Sequence, residues 1–268
     1  MTDSLRQQLL ADACQMARTG GELARGLIGR TAADRKPDRT VVTEADHAVQ
    51  DLILTRVAER YPRHAVLAEE TVRRPHRHRG AAEAEYCWVV DPIDGTRNFT
   101  RSLPVFATAV AVLRGGLPVA AAVYEPNLEQ LYAASVGGGS TLNGRAVGVS
   151  REPPHHDTLI GVPSGRNQPT PPAVHDWLDR WNLRNLGSTA LHMALVAAGS
   201  IDAAFCQECR VWDVAAGWLL IREAGGLCTD LAGGDLFPLD LSAAADRDLP
   251  FLAAGPSLHP RLLATLAP

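Results

Sequence analysis

Apolar residues recur at helical spacing in the first part of the chain. The N-terminal segment carries them on one helical stripe, which predicts a helix over residues 4–28: Leu5, Leu9, Ala13, Met16, Leu23 and Leu27. A second helix is predicted over 44–60, where Thr43 and Asp46 have the spacing of a capping box ahead of Val49 and Ile53. The short apolar run at 65–68 then predicts a strand.

The middle of the chain changes to the period of β-strands. Residues 105–113, 118–124 and 130–136 form successive β segments separated by turn residues, which predicts a meander. The glycines at 137–139 and the Asn143-Gly144 pair fit hairpin connections. A nucleotide-binding loop is rejected there, because no helix is predicted to follow.

The C-terminal part has an α/β pattern. Strands predicted at 183–186 and 201–205 alternate with helices that begin near Ser188 and Asp213. The stretch 150–172 is rich in Pro, His and polar residues and marks the expected boundary. We therefore expect one unit over 1–268, with an N-terminal α+β half of about 1–150 and a C-terminal α/β half of about 151–268.

Composition limits the functional classes. The 268 residues are 46% hydrophobic with a net charge of −4, and they contain no apolar run that could span a bilayer and no basic stripe. A cytoplasmic protein that binds neither membrane nor nucleic acid is expected. The five scattered cysteines fit free thiols, and the Cys206–Cys209 C-x-x-C is interpreted as loop cysteines near the active site.

A local basic cluster lies at residues 73–79, between an acidic pair and the next strand. One interpretation is a solvated loop. The other is a cationic lid that attracts anionic substrates.

The most informative segment runs from Trp88 to Phe99, where an apolar strand ends in acid, turn and hydroxyl residues. Pro92 is expected to break the strand, and Asp94-Gly95 to form a turn. Asp91 and Asp94 could then face one point, where their charges would repel by roughly 1–4 kcal/mol at about 4 Å. A Mg²⁺ ion would remove that cost. An ordinary solvated turn is the alternative.

Two other segments carry similar acids. The strand at 65–68 ends in Glu69 and Glu70, and Trp212-Asp213 opens a helical pattern. By itself, Asp213 is more commonly an N-cap residue than a metal ligand.

Together these motifs resemble the inositol monophosphatase family, a magnesium-dependent, lithium-sensitive phosphatase superfamily. The similarity spans nearly the whole chain and comprises, in order, VVTEAD at 41–46, Glu-Glu-Thr at 69–71, DPIDGT at 91–96, LPVFATAVAV at 103–112, LGSTALHMALVAAGSIDA at 186–203, Trp-Asp at 212–213 and EAGG at 223–226. The resemblance implies a layered αβαβα sandwich of the inositol monophosphatase and fructose bisphosphatase type, classed as α/β or, in some schemes, α+β.

The resemblance also implies roles for individual residues. Two or three Mg²⁺ ions would be bound by Glu69, Asp91, the carbonyl of Ile93, Asp94 and Asp213. The N–H groups of Gly95 and Thr96 would bind the substrate phosphate. Asp46 would orient the Thr96 hydroxyl, which helps Glu69 deprotonate the attacking water. Glu70 would contact the metal-binding residues without binding the metal itself. Substrate contacts are expected from Asp94, Gly187, Ser188, Thr189, Cys206 and Asp213.

The implied activity is hydrolysis of a small phosphate monoester by a metal-activated water. Cys206 replaces an acid of the inositol-specific members, which weakens a strict inositol assignment, whereas DPIDGTRNF favours a sugar, inositol or histidinol phosphate. The substrate that the resemblance favours most is one like inositol 1-phosphate, and the alternatives are histidinol phosphate and fructose bisphosphate. The alternative from another functional class is a regulatory or binding protein that does not catalyse a reaction. A homodimer is expected because the resemblance to the family implies one, and no feature of the sequence indicates it.

Overall fold

Helices and sheets alternate in five layers in this protein. The computed structural model describes residues 1–30, 33–35, 41–70, 84–163 and 169–266. Its first layer holds α1 (Asp3–Leu27) and, after the short antiparallel pair β1 (Ala33–Arg35) and β2 (Val41–Thr43), α2 (Glu44–Arg60). Both helices agree with the sequence prediction. The Thr43 side chain accepts from the N–H of Asp46, and the Asp46 carboxylate accepts from the N–H of Thr43, so the predicted capping box is confirmed.

The second layer is a seven-stranded sheet in which the strands follow one another in sequence order. Its members are β3 (Ala65–Ala68), β4 (Tyr86–Asp94), β5 (Ala107–Arg114), β6 (Leu117–Glu125), β7 (Gln130–Ser135), β8 (Gly139–Leu142) and β9 (Arg145–Val147), with the short helix α3 (Thr96–Thr100) after β4. β3 and β4 are parallel, and each later pair is antiparallel. The predicted meander and hairpin connections are thus confirmed.

The C-terminal part supplies the other three layers. It comprises β10 (Leu159–Gly161), α4 (Pro172–Arg180), β11 (Asn182–Arg184), α5 (Thr189–Ala197), β12 (Ala203–Cys206), α6 (Val211–Glu223), β13 (Leu227–Thr229), β14 (Phe251–Ala254) and α7 (His259–Leu266). The strands form a five-stranded sheet in the order β11-β10-β12-β14-β13. The sequence prediction missed β10 within 150–172, because three strand residues between polar turns show no period.

Three apolar clusters bind the layers together. One joins α1 and α2 to one face of the large sheet through residues such as Leu9, Ile53 and Val110. The largest joins the other face to α5, α6 and the small sheet, and the third joins that sheet to α4 and α7. Helices α5 and α6 therefore lie between the sheets, and the αβαβα sandwich is confirmed. The division into halves near residue 150 stays a prediction.

The strand that carries the main motif departs from prediction at Pro92. We expected this proline to end β4, but the strand continues to Asp94, and its pairing with β5 shifts between Asp91 and Asp94. A proline fits at such a bulge because the extra residue has no place in the hydrogen-bonded ladder. The Pro92 carbonyl instead accepts a hydrogen bond from Thr108 Oγ1 at 2.8 Å.

Membrane insertion finds no support in the part of the chain that the structure describes. None of the helices there combines the length and apolarity needed to cross a bilayer.

Candidate metal and active site

The bulge in β4 determines where two of the acidic side chains point. Asp91 lies opposite Ala109 of β5, and Asp94 lies opposite Ala107, so β4 has one residue more than its partner over this interval. In a regular strand, side chains three residues apart face opposite sides of the sheet. The extra residue removes that alternation. Asp91 and Asp94 can therefore serve one site.

Asp213 reaches the same place from the central helical layer. It lies in the first turn of α6, where its Oδ2 atom accepts a 2.6 Å hydrogen bond from the N–H of Arg210. Asp91, Asp94 and Asp213 each offer a carboxylate oxygen, and these oxygens lie within 4.8 Å of one another. Asp213 thus acts locally in helix capping and still belongs to the acidic cluster.

Asp91 is the most unfavourably placed of these acids. Its exposed fraction is 1%, and its Oδ1 atom has no hydrogen-bond partner among the described residues. Burial raises the pKa of Asp91 well above its ordinary value, and the charges of Glu69, Asp94, Asp213 and Asp46 raise it further. A buried carboxylate surrounded by others is stabilised by a hard divalent cation. The donor set fits Mg²⁺.

Glu69 and Glu70 follow the neighbouring strand β3. The N–H of Glu69 donates to the Val90 carbonyl at 3.2 Å, which places the residue beside the end of β4. Its charge acts on Asp91, although Glu69 is not in the group of three acids within 4.8 Å. Glu70 is buried, and its N–H donates to Oε1 of Gln50.

Gly95 and Thr96 form the junction between β4 and α3. Gly95 has a φ of +100°, and a Cβ atom there would lie 3.0 Å from the Val105 carbonyl oxygen, so the turn requires glycine. Thr96 Oγ1 lies 3.0 Å from the Ile93 carbonyl oxygen and 3.4 Å from Oδ1 of the fully buried Asp46. The Thr96 hydroxyl therefore lies beside Asp46, the partner expected for it, and beside the Ile93 carbonyl.

The segment before α5 also reaches the acids. Ser188, the N-cap of α5, donates from Oγ to Asp94 Oδ2 at 2.6 Å, and the N–H of Ala190 donates to the same oxygen at 2.6 Å. Thr189 begins the helix beside them, and Gly187 is exposed with a φ of +71°. The contact of Ala190 was not predicted, because a backbone donor leaves no signature in residue type.

Cys206 lies at the end of β12 among apolar core residues. It is 4% exposed, and its Sγ donates to the carbonyl of Glu208 at 3.3 Å. All five cysteines are free thiols, in agreement with the prediction, and Cys206 and Cys209 contact each other through their side chains. The role of Cys206 in substrate binding stays a prediction. The basic cluster at 73–79 and Thr71 lie outside the described residues.

His192 is a buried residue of α5. Its Nε2 atom accepts a 3.0 Å hydrogen bond from the N–H of Leu186, and the ring also hydrogen bonds to the backbone of Arg184. Because Nε2 accepts, the proton of the neutral ring lies on Nδ1. Burial lowers the pKa of His192 from 6.5 to about 4.

Acid should destabilise the protein through His192. The unfolded chain takes up a proton below pH 6.5, whereas the folded protein does so only near pH 4, so this contribution is complete above pH 6.5 and is lost as the pH falls towards 4. The expected loss is roughly 3 kcal/mol. Urea unfolding across this range measures it. In His192→Asn, whose amide does not titrate, the decline should be smaller, and an equal decline in both proteins would contradict the assignment.

These features define a class of protein: a layered α/β protein whose buried and half-buried carboxylates meet at the end of a bulged strand, in an arrangement that could bind a divalent cation. The sequence profile of the inositol monophosphatase family matches residues 5–267, and the chain belongs to this family.

Individual relatives carry more than one kind of name. An inositol-1-monophosphatase of Mesorhizobium japonicum is 38% identical over 202 residues, which cover 72% of this chain and 73% of the relative. The Nus factor SuhB of Pseudomonas aeruginosa is 35% identical over 249 residues, 86% of this chain and 88% of the relative. A solved IMPase/NADP phosphatase, complexed with NADP and Ca²⁺, superposes with a TM-score of 0.83 at 25% identity and covers 98% of this chain and 97% of that one.

Proposed function

We propose that this chain is a magnesium-dependent phosphate monoester hydrolase that acts on a small polyol phosphate such as inositol 1-phosphate. The observation that carries the proposal is the convergence of Asp91, Asp94 and Asp213 within 4.8 Å, with one buried oxygen of Asp91 left without a hydrogen-bond partner in the described part of the chain. A cluster of this kind is stable only with cations or protons. The family of metal-dependent phosphatases supplies the chemistry that fits it.

Mg²⁺ would be held by Glu69, Asp91, the Ile93 carbonyl, Asp94 and Asp213. When bound, it lowers the pKa of a water ligand and neutralises charge on the phosphoryl group. The chain's own residues would do the rest. Asp46 accepts from Thr96 Oγ1 and orients it towards the water, Glu69 takes up the proton, and the N–H groups of Gly95 and Thr96 bind the phosphate.

The proposed substrate class follows from the residues around the cluster. Ser188 binds Asp94, and the exposed Gly187 and half-buried Thr189 on either side of it offer backbone and hydroxyl groups, which suits a ligand with several hydroxyls. The IMPase/NADP phosphatase similar to this chain was solved with NADP, so a larger phosphate ester is an outcome that the test must include. Histidinol phosphate and fructose bisphosphate complete the alternatives.

Phosphate release should depend on Mg²⁺ and on the ester. The purified chain is incubated with inositol 1-phosphate, histidinol phosphate, fructose bisphosphate or NADP. Each incubation contains Mg²⁺ or a chelator, and the released inorganic phosphate is measured. We expect the highest kcat/KM for the inositol ester and no release with the chelator, because the acids alone cannot generate the nucleophile. A higher value for histidinol phosphate would move the assignment to that substrate.

A regulatory role without turnover is the second candidate. The observation that favours it is the similarity to the Nus factor SuhB of P. aeruginosa. The expected acids and the Thr96 hydroxyl are all present, which favours turnover. Absence of phosphate release from all four esters would favour the regulatory role. We further propose that the protein is cytoplasmic and that it forms a homodimer.

A further inference from the structure

Asp94 is oriented by a segment from the other half of the chain. Its Oδ2 atom accepts from Ser188 Oγ and from the Ala190 N–H, both at 2.6 Å. Two short hydrogen bonds to one oxygen fix the orientation of the carboxylate. The position of the segment that carries Ser188 therefore controls the orientation of Asp94.

Asn98 holds this segment from the side of α3. Its Nδ2 atom donates to the carbonyl of Leu186 at 2.7 Å and to the carbonyl of Val105 at 2.7 Å. Both neighbours are carbonyl oxygens, so the amide nitrogen must face them. Gly187 packs directly on this amide, since a Cβ atom there would lie 2.9 Å from Nδ2. Asn98 thus ties the backbone next to Ser188 to the loop that follows α3.

His192 holds the same peptide unit from the opposite side. Its Nε2 atom accepts from the N–H of Leu186, the residue whose carbonyl Asn98 binds. The ring is 4% exposed and lies against Gly161 of β10, where a Cβ atom would come within 2.8 Å of the ring. The ring is therefore wedged between the sheet and the segment, and it cannot shift without moving Leu186.

We propose that Asn98 and His192 are positioning residues of the metal site, which clamp Leu186 so that Ser188 and Ala190 orient Asp94 towards the cation. The inference rests on the proposed function. It assigns a role to two residues that contact neither the acids nor the expected substrate. It also explains how α3, which begins beside the expected phosphate position, is mechanically joined to the start of α5. Residues that support metal ligands can change the metal affinity about 10- to 100-fold, because they fix the orientation of the ligands.

Asn98→Asp tests the clamp with almost no change in volume. The aspartate removes both donors and places a carboxylate against the Leu186 and Val105 carbonyls. We expect Mg²⁺ affinity, measured by calorimetry without substrate, to fall about 10- to 100-fold, and kcat to fall similarly with little change in KM at saturating Mg²⁺. Asn182→Asp is the matched control, because Asn182 donates to the His156 carbonyl at the exposed edge of the small sheet. Its Mg²⁺ affinity should match that of the wild type.

Two further comparisons separate positioning from general stability. Ser188→Ala removes one of the two contacts through which the clamp acts on Asp94, so the loss of Mg²⁺ affinity in Asn98→Asp combined with Ser188→Ala should be smaller than the product of the two single losses. His192→Asn keeps one donor and one acceptor and should restore most of the affinity that His192→Leu loses. Losses that multiply in the double variant would overturn the inference. If Asn98→Asp fails to fold, Asn98→Ser removes the donors without adding charge.

Failure of the inference differs from failure of the proposed function. A wild-type protein that binds Mg²⁺ but releases no phosphate contradicts the hydrolase, while calorimetry on the variants still decides the clamp. Wild-type affinity in Asn98→Asp contradicts the clamp and leaves the hydrolase in place. A wild-type protein that does not bind Mg²⁺ contradicts both.

Discussion

Replacing Asp94 with asparagine should abolish phosphate release while leaving the fold intact. The variant removes one charge from the cluster but keeps a carbonyl oxygen that can accept from Ser188 Oγ and the Ala190 N–H. Loss of a carboxylate ligand weakens and misplaces the cation that would neutralise the phosphoryl group, an effect of several kcal/mol, which corresponds to a fall of about 1,000-fold or more in kcat/KM. Steady-state assay of released phosphate at saturating Mg²⁺ measures it.

The matched control for this variant is Asp179→Asn, an exposed position on α4 on the far side of the small sheet. Its activity should equal that of the wild type, and both variants should give the same far-UV circular dichroism spectrum. An Asp94→Asn protein that retains full activity would remove Asp94 from the metal site, whatever the effect of the control.

Asp91→Asn should change stability in opposite directions with and without metal. In the metal-free protein, the buried carboxylate lacks a partner for Oδ1 and is surrounded by the charges of Glu69, Asp94 and Asp213. Neutralising it removes the repulsion between like charges, which is roughly 1–4 kcal/mol for a pair at about 4 Å, so the free energy of unfolding should rise by about that much. Added Mg²⁺ should stabilise the wild type and have almost no effect on the variant.

Thermal unfolding with EDTA and with Mg²⁺ separates these two effects. Asp176→Asn, another exposed acid of α4, should keep the wild-type response to Mg²⁺. A metal-free Asp91→Asn protein that is less stable than the metal-free wild type would mean that the carboxylate is satisfied by some other group, and the argument for a cation would lose its main support.

The regular elements were predictable because their signals are local. The capping box at Thr43 and Asp46 and the apolar stripe of α1 lie within a few residues of the backbone they organise. The end of β4 was not predictable, because the bulge at Pro92 exists only in the pairing with β5. Proline indicates an interruption, but whether the strand ends or continues past it is decided by the neighbouring strand.

The acidic cluster shows the same limit at longer range. Asp91 and Asp94 are three residues apart, so their spacing alone indicates a shared site. Asp213 taken alone has the pattern of an ordinary capping residue, and only the combination of motifs indicates a metal ligand. The sequence did not predict the roles of Asn98 and Ala190, which contact the residues around Asp94 or Asp94 itself. Asn98 donates to the backbone carbonyl of Leu186, and Ala190 donates from its own N–H, so each contact includes a backbone group that no pattern of residue types reveals.

The extra residue in β4 makes chain length, and not only chemistry, a determinant of this site. Most side chains along a strand can be exchanged without disturbing their neighbours, but one residue inserted between Asp91 and Asp94 and taken into the regular pairing would turn one of the acids to the opposite face of the sheet. An insertion in this short interval is therefore a stronger sign of lost activity in a related sequence than a conservative exchange elsewhere along the strand.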